Sequence, residues 1–429
     1  MDLIKETPSF LRTVFRSLAS SEMRSSCYTY RMSLFNRKRK SGQHFIIVFD
    51  IGSASIGGAF ASVETGKNPE VIFTTRRDIP FQEKLNFQRF LASMIKTLEE
   101  MFITLQKAGG GVKVDQAFCV LASPWYASQT RLVHYNQPQP FTVTEKGLNK
   151  LIQKEIELFR NSKLFSRSKS SDAVPEIMES KNIQMKLNGY DVKSPFGKRT
   201  SELEVALYIS MIPSNIFTSI NDSIKKFWRL NNVHFSSFSF TAFDTIRDIF
   251  AEETSFLFMD ISGEVTDISL AKDNVLLESI SFPAGKNMLI RQLVAGMKTA
   301  PAAAQTELKM YMEGKSTRDH AQQIESILTE SSKEWLVFFE DALSQFSAEF
   351  PIPRTIFFTA DDDVTKWYDS AIREANFSKF SQDEGAFMIR SLGNSFLNKF
   401  IQVLEPDFQD PFLAIETIFA NKISGLERK

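Results

Sequence analysis

Cysteine and histidine are scarce in this chain of 429 residues, which limits the chemistry that it can perform. The two cysteines, Cys27 and Cys119, lie far apart and lack the paired spacing of a zinc site, so a reducing intracellular compartment is expected. The four histidines are scattered, which argues against a histidine-based metal site. No Ser/His/Asp or Cys/His pattern indicates a catalytic nucleophile.

Long apolar runs and an excess of one charge are also missing. No stretch approaches the ~18–20 apolar residues that a membrane-spanning helix needs. Arg12 and Arg16 interrupt the apolar residues near the N-terminus, where a secretory signal would lie. Any membrane contact is therefore expected to be peripheral. The 51 basic and 51 acidic residues balance, which argues against a nucleic-acid partner.

Positive charge is nevertheless concentrated in an N-terminal arm, residues 1–43. Its first 40 residues carry nine basic and three acidic side chains. Apolar residues recur there at helical spacing: Phe10, Leu11, Val14, Phe15 and Leu18. Residues 8–20 are therefore predicted to form an amphipathic helix that touches a membrane surface. A basic tail without regular structure is the alternative interpretation.

Apolar periodicity divides the rest of the chain into strands and helices. Helices are predicted over 85–107, 144–159, 214–228, 286–298, 302–312, 320–348 and 411–424. Strands are predicted around "HFIIVFDIGSASIGGAFASVE", "VDQAFCVLAS", 176–212, "TSFLFMDISGEVTDISLAKDNVLLESISF" and "RTIFFT". Two parts of the chain each open with an apolar strand that ends in Asp and a turn of small residues. This repeat predicts a duplicated domain.

The two turns, "FDIGSAS" and "MDISGEVTD", share a plan that suits a phosphate ligand. Small residues let successive backbone N–H groups approach an anion. An Asp at the end of the strand can hold Mg²⁺ through water against phosphate oxygens. Either turn alone could be an ordinary hairpin, but the pair favours a phosphate site shared by two halves of the chain.

These turns resemble the two phosphate loops of the actin/Hsp70/sugar-kinase ATPase superfamily, and other segments resemble its FtsA/PilM branch. The segments that carry the resemblance are "TAFDTIRDIFAEETSFLFMDIS", "ISFPAGKNMLIRQLVAG", "ELKMY", "DPFLAIETIFANKI" and "NGYDVKSPFGKRTSELEVALYI". The resemblance implies an α/β fold with duplicated ribonuclease-H-like (actin-like) lobes and an inserted FtsA-type small α+β (SHS2) subdomain. The implied boundaries are lobe 1 at 44–114 and 214–254, the inserted subdomain at 115–213, lobe 2 at 255–424 and a tail at 425–429.

The resemblance also implies ATP and Mg²⁺ as cofactors. Asp50 and Asp260 would hold Mg²⁺ through water and Asp267 would position the attacking water, so these three are the candidate catalytic residues. The residues placed around ATP are Gly52, Ser53, Ala54 and Ser55 in the first loop, Ser262, Gly263, Glu264 and Thr266 in the second, and Gly285, Lys286, Lys309, Thr359, Ala360 and Asp361 elsewhere.

Three motifs depart from the family pattern. Ser262 and Glu264 stand where the second phosphate loop has glycines, and Ala360 and Asp361 stand where the adenosine loop has glycines. Thr306 replaces the acidic residue expected shortly before Lys309, unless Glu307 takes that place by a one-residue shift. Weak or absent ATP hydrolysis is therefore expected, and a pseudo-ATPase that uses the fold for interactions is an open alternative.

The resemblance leaves two functions in competition. The first is an FtsA-like protein of bacterial cell division, cytoplasmic at the inner face of the cell membrane, which self-associates and tethers a division filament protein. The second is a PilM-like scaffold of type IV pilus or secretion assembly, which binds a pilus inner-membrane protein. Only ten residues separate Lys309 from His320, where FtsA-like proteins have a longer β-rich segment. A small-molecule kinase on the same fold is less favoured, since no separate substrate-base Asp is found.

Overall fold

The computed structural model describes residues 42–109, 111–162, 174–375, 377–380, 385–404 and 408–426. The helix predicted over residues 8–20 lies outside these ranges, so the membrane contact assigned to it stays a prediction. Within the part of the chain that the structure describes, no helix combines the length and apolar character needed to cross a membrane.

Strands and helices alternate along the chain much as the apolar periodicity predicts. The strands are β1 (His44–Ile51), β2 (Ser55–Val63), β3 (Glu70–Asp78), β4 (Gln116–Leu121), β5 (Ala127–Thr142), β6 (Pro175–Leu187), β7 (Tyr190–Asp191), β8 (Arg199–Pro213), β9 (Val233–Ser237), β10 (Phe256–Ile261), β11 (Thr266–Lys272), β12 (Val275–Phe282), β13 (Thr355–Ala360), β14 (Met388–Ser391) and β15 (Gln402–Val403). The helices are α1 (Phe87–Ala108), α2 (Glu145–Arg160), α3 (Ser214–Trp228), α4 (Phe238–Ile249), α5 (Lys286–Met297), α6 (Pro301–Met312), α7 (Arg318–Glu349), α8 (Asp362–Glu374), α9 (Asn394–Leu397) and α10 (Pro411–Leu426).

Two of the three sheets that the described residues form repeat one topology. The first has the strand order β15-β3-β2-β1-β4-β9 and the second β12-β11-β10-β13-β14. In each, three strands form an antiparallel meander and two further strands run parallel to its first strand. The order and directions agree strand for strand once β15 is set aside. The chain therefore contains two copies of one α/β lobe, as the repeated Asp-bearing turns predict.

The central strands are apolar because both of their faces are covered. Seven of the eight β1 residues and all six β10 residues are buried, which explains their nearly continuous apolar runs. Helix α1 covers the first sheet with one apolar face, and the Asn86 side chain caps its N-terminus by accepting the Arg89 N–H. The Thr144 hydroxyl caps α2 in the same way, by accepting the Gly147 N–H.

A third sheet, β5-β8-β6-β7, is antiparallel and is inserted between β4 and β9. Its first strand begins at Ala127, later than the boundary at residue 115 that the resemblance implies. The intervening strand β4 pairs in parallel with β1 and belongs to the first sheet. The reason is its apolar run "QAFCVL", every residue of which is buried.

The closing helix α10 lies on the first lobe, although the resemblance implies that lobe 2 extends to residue 424. It packs on β1, β2 and α4, and the short strand β15 before it pairs with β3. Leu413 and Ile415 share one apolar core with Val48 of β1 and Phe243 of α4. That core also contains Phe258 of β10, so α4 and α10 help to join the two lobes.

Candidate functional site

The two predicted phosphate loops meet where the lobes face each other. Asp50 precedes the end of β1, beside Val120 of the parallel strand β4. Asp260 has the equivalent place in β10, beside Thr359 of the parallel strand β13. Because the lobes repeat one topology, both loops follow the carboxyl ends of central strands, where ligands of open α/β sheets bind.

The loops are in direct contact with each other. The backbone N–H of Glu264 donates to the Ser53 hydroxyl at 2.8 Å, and the Ser53 and Ser262 hydroxyls lie 3.2 Å apart. A Cβ added to Gly263 would lie 2.0 Å from the Cβ of Ala54. The absence of a side chain at Gly263 thus lets the two loops pack together.

Little space is left between the loops for a phosphate chain. The cavity lined by Asp50, the residues of both loops and Arg76 has a volume of about 20 Å³. A single water molecule needs about 10–15 Å³ by the same kind of measure. In this arrangement the residues do not fit the triphosphate and metal that the resemblance implies.

Asp50 already has a cationic partner. An Arg76 Nη2 atom lies 2.6 Å from Asp50 Oδ2, and Arg76 Nε lies 2.7 Å from Asp410 Oδ2. Burial raises the pKa of Asp50, and the adjacent guanidinium counteracts that rise. The guanidinium thus supplies Asp50 with the positive charge that the implied metal would otherwise provide.

Asp260 and Asp267 face each other across the β10–β11 pair. Burial raises the pKa of Asp260 well above its ordinary value of 3.8, and the nearby Asp267 and Asp50 carboxylates raise it further. Burial also raises the pKa of Asp267, against hydrogen bonds from Ser281 and Ser123. Among the described residues, one carboxyl oxygen of each has no hydrogen-bond partner. Both carboxyl groups therefore favour the protonated form more than a solvent-exposed Asp does.

Glu264 and Thr266 point away from the opposite loop. The Glu264 carboxylate accepts from Asn287 Nδ2 at 2.7 Å and from an Arg291 Nη2 atom at 2.8 Å. The Thr266 hydroxyl donates to the Ala284 carbonyl at 2.6 Å. The acidic residue in the place of a family glycine therefore anchors the loop to α5 rather than facing the phosphate position.

The N-terminus of α5 is bonded to the second loop. The N–H groups of Lys286 and Asn287 donate to the carbonyls of Ser262 and Gly263 at 3.0 and 2.8 Å. A Cβ at Gly285 would lie 2.2 Å from the Ser262 carbonyl oxygen, so Gly285 permits this approach. Two of the N–H groups that could bind an anion at a helix N-terminus are thus used within the protein.

Lys286 and Asp361 are paired with each other. Lys286 Nζ lies 3.0 Å from Asp361 and 2.8 Å from Asp363. Although burial alone would raise it, Lys286 and Arg76 hold the pKa of Asp361 below its ordinary value. The neighbouring Thr359 and Ala360 are buried in β13.

A wider cleft lies beside the closed loops, between the lobes. Its volume is about 410 Å³, within the ~300–1,000 Å³ typical of small-molecule sites. Ala54, Ser55 and Phe81 line it from one lobe, and Lys286 and the exposed Lys309 from the other. The structure thus brings Lys309 to the same cleft as the first loop, at a distance from the Asp50 cavity.

Sequence reasoning missed three charged residues beside Asp50: Arg76, Asp410 and Glu416. Glu416 is fully buried in α10, where burial and the Asp50 carboxylate raise its pKa well above the ordinary value. Arg76 resembles its neighbour Arg77 in sequence, so local pattern could not separate them. A charged residue within the apolar helix "PFLAIETIFA" was the one available signal for Glu416.

No protein-family model and no curated protein match the chain. Among solved structures, a chain of the PilM–PilN type IV pilus biogenesis complex is 12% identical, with a TM-score of 0.57 over 89% of this chain and 98% of that one. An actin-like ATPase fold protein of unknown function from Bacteroides thetaiotaomicron is 9% identical, with a TM-score of 0.39 over 89% and 97%. MreB 5 of Spiroplasma citri bound to AMPPNP is 10% identical, with a TM-score of 0.42 over 90% and 98%. The first similarity, over nearly the whole of both chains, identifies a shared fold.

Proposed function

We propose that this chain, which has the actin-like ATPase fold, is a non-hydrolysing scaffold in a bacterial pilus or secretion machine. Its partner is the cytoplasmic segment of an inner-membrane protein of that machine. The chain thus acts at the inner face of the cell membrane and binds this partner through protein surfaces, without ATP turnover.

The connection between α6 and α7 favours pilus or secretion assembly over cell division. Helix α6 ends at Met312 and α7 begins at Arg318, so residues 313–317 form a short turn without a strand. The FtsA branch has a longer β-rich segment there, with which it engages the division filament. A chain without that segment fits the PilM-like alternative better, and the similarity to the PilM–PilN complex supports the same choice.

The contact between the phosphate loops supports a role without hydrolysis. Phosphoryl transfer depends on positioning the phosphate chain and neutralising its charge. The Ser53–Glu264 hydrogen bond and the Asp50–Arg76 ion pair use the groups that would do both. ATP and Mg²⁺ are the ligands that the resemblance implies, but the closed loops leave too little room for them beside Asp50.

A binding experiment with two peptides tests the scaffold role. The purified chain is titrated with the N-terminal cytoplasmic segment of a pilus inner-membrane protein and with the C-terminal tail of a tubulin-like division filament. Scrambled peptides of the same composition serve as controls. We expect saturable binding of the first peptide alone; binding of the filament tail alone would contradict the proposal and favour the FtsA-like function.

One structural feature supports the FtsA-like function: the four-stranded sheet inserted after β4. This function also needs membrane attachment, which the helix predicted over residues 8–20 would supply. Sedimentation with liposomes, comparing the full chain with a variant that starts at Ser41, tests this attachment. Equal binding by both would show that the arm does not attach the chain to the membrane.

Phosphate release measured with ATP and Mg²⁺ tests turnover, with Asp260→Ala as the background control.

A further inference from the structure

Arg76 lies in one row of side chains that crosses three strands of the first sheet. The register pairs Asp50 of β1 with Gly57 of β2, and Gly57 with Arg76 of β3. A Cβ at Gly57 would lie 2.7 Å from Arg76 Nη2 and 3.0 Å from its Cζ. The guanidinium therefore passes over β2 to reach Asp50, and the missing side chain of Gly57 provides the space.

The guanidinium is held on all of its nitrogen atoms. Nη2 donates to Asp50 at 2.6 Å and to Asp410 at 2.9 Å, Nε donates to Asp410 at 2.7 Å, and Nη1 donates to the Ser55 hydroxyl at 2.8 Å. The planar fork of arginine suits such a two-point contact with a carboxylate. Its carbon Cζ also lies 5.7 Å from the centre of the Phe412 ring.

These contacts join three separate parts of the chain at the phosphate position. Asp50 lies one residue before the end of β1, Ser55 begins β2 after the first loop, and Asp410 caps α10 by accepting the Leu413 N–H at 3.0 Å. The Arg76 side chain is 25% exposed and Asp50 only 4%, so the ion pair is shielded from solvent. A shielded carboxylate needs a partner charge, which in this site comes from the chain itself.

We propose that Arg76 is a built-in cation that takes the place of the nucleotide-bound metal at Asp50. It ties β1, the start of β2 and α10 together, so the first loop is held in place without ATP or Mg²⁺. The disagreement with the family's metal site is thereby explained by one side chain and the glycine opposite it. The role of Arg76 does not depend on which partner the scaffold binds, since peptide binding is measured separately.

Thermal unfolding and calorimetry with Mg²⁺ alone and with ATP and Mg²⁺ test the proposal on the full chain. Arg77→Ala is the matched control, because Arg77 is the next residue of β3 and its ion pair with Glu100 is more exposed. We expect Mg²⁺ and ATP to leave the unfolding midpoints of the wild type and of Arg77→Ala unchanged. Arg76→Ala should unfold at a lower temperature, and its midpoint should rise with Mg²⁺ concentration as mass action requires.

We expect Arg76→Ala to bind Mg²⁺ with an apparent affinity on the order of tenfold or more above that of the wild type. The reason is that the carboxylates around residue 76 lose their internal counter-ion. Should Arg76→Ala fail to fold, Gly57→Ala carries the same test, because its Cβ would displace the guanidinium while leaving the charge in place. Two results would overturn the proposal. One is binding of ATP and Mg²⁺ by the wild type that Arg76→Ala abolishes, which would make Arg76 a phosphate ligand. The other is a response to Mg²⁺ in the altered protein no larger than that of the wild type.

Discussion

The contact between the two predicted phosphate loops leads to a sharp prediction for Gly263→Ala. The added Cβ would lie 2.0 Å from the Cβ of Ala54 and 2.8 Å from its Cα and N, so the loops must separate. The φ angle of Gly263 is not in the positive range, so alanine can adopt its backbone conformation. The substitution therefore tests the contact between the lobes rather than strain within one loop.

The magnitude follows from two contributions. Overpacking costs about 1–3 kcal/mol, and loss of the hydrogen bond from the Glu264 N–H to Ser53 costs about 1 kcal/mol. Closure of the lobes should weaken by ~2–4 kcal/mol, which corresponds to about 30- to 700-fold faster exchange of the Glu264 amide hydrogen.

Hydrogen exchange over residues 256–267 is the assay. Gly425→Ala is the matched control, because a Cβ there would meet no atom within 4 Å. Ala54→Gly combined with Gly263→Ala should recover only part of the protection, because the backbone atoms of residue 54 remain too close. Exchange in Gly263→Ala as slow as in Gly425→Ala would refute the closed contact between the loops.

Three further predictions concern the same site. Ser53→Ala removes the acceptor of the buried Glu264 N–H and should lower the free energy of unfolding by ~1–3 kcal/mol, measured by urea titration; a loss below ~0.5 kcal/mol would mean that this hydrogen bond does not form. Trp125→Phe removes the indole N–H that donates to the Gly52 carbonyl at 2.8 Å and should cost ~1–3 kcal/mol in the same titration, with no change in the far-ultraviolet circular dichroism. Asp260→Asn tests the raised pKa of Asp260. A carboxyl group whose pKa is raised in the folded state contributes its full stability below the unfolded pKa of about 3.8. That contribution is lost as the pH rises through the folded pKa. The altered protein should therefore match the wild type near pH 4 and exceed its stability increasingly towards neutral pH; an equal difference at both pH values would contradict the assignment.

Much of the fold could be predicted from local sequence. The helix predicted over 214–228 is Ser214–Trp228, and the one predicted over 302–312 begins one residue earlier, at Pro301. Apolar periodicity and capping residues act over a few positions, so the sequence displays them directly. The two Asp-bearing turns even predicted the duplication, because each copy of the lobe needs the same strand ending.

The lobe to which each segment belongs was harder to predict from the sequence than the helices and strands themselves. Strand β4 and helix α10 belong to the first lobe, although the inserted sheet follows β4 and most of the second lobe precedes α10 in the sequence. A buried strand can pair with any exposed sheet edge, and an apolar helix can cover any apolar face. Their positions depend on contacts with residues such as Val48 and Phe243, which lie far away along the chain.

The sequence by itself determined that Asp50 and Asp260 end equivalent strands and that small residues follow them. Only the tertiary structure decided what these carboxylates contact. Two adjacent arginines on β3 look alike in sequence, but side chains alternate between the faces of a strand, so only Arg76 lies on the face of Asp50. Strand register then places Gly57 between them, and the empty space over that glycine allows a cation from one strand to reach a carboxylate two strands away.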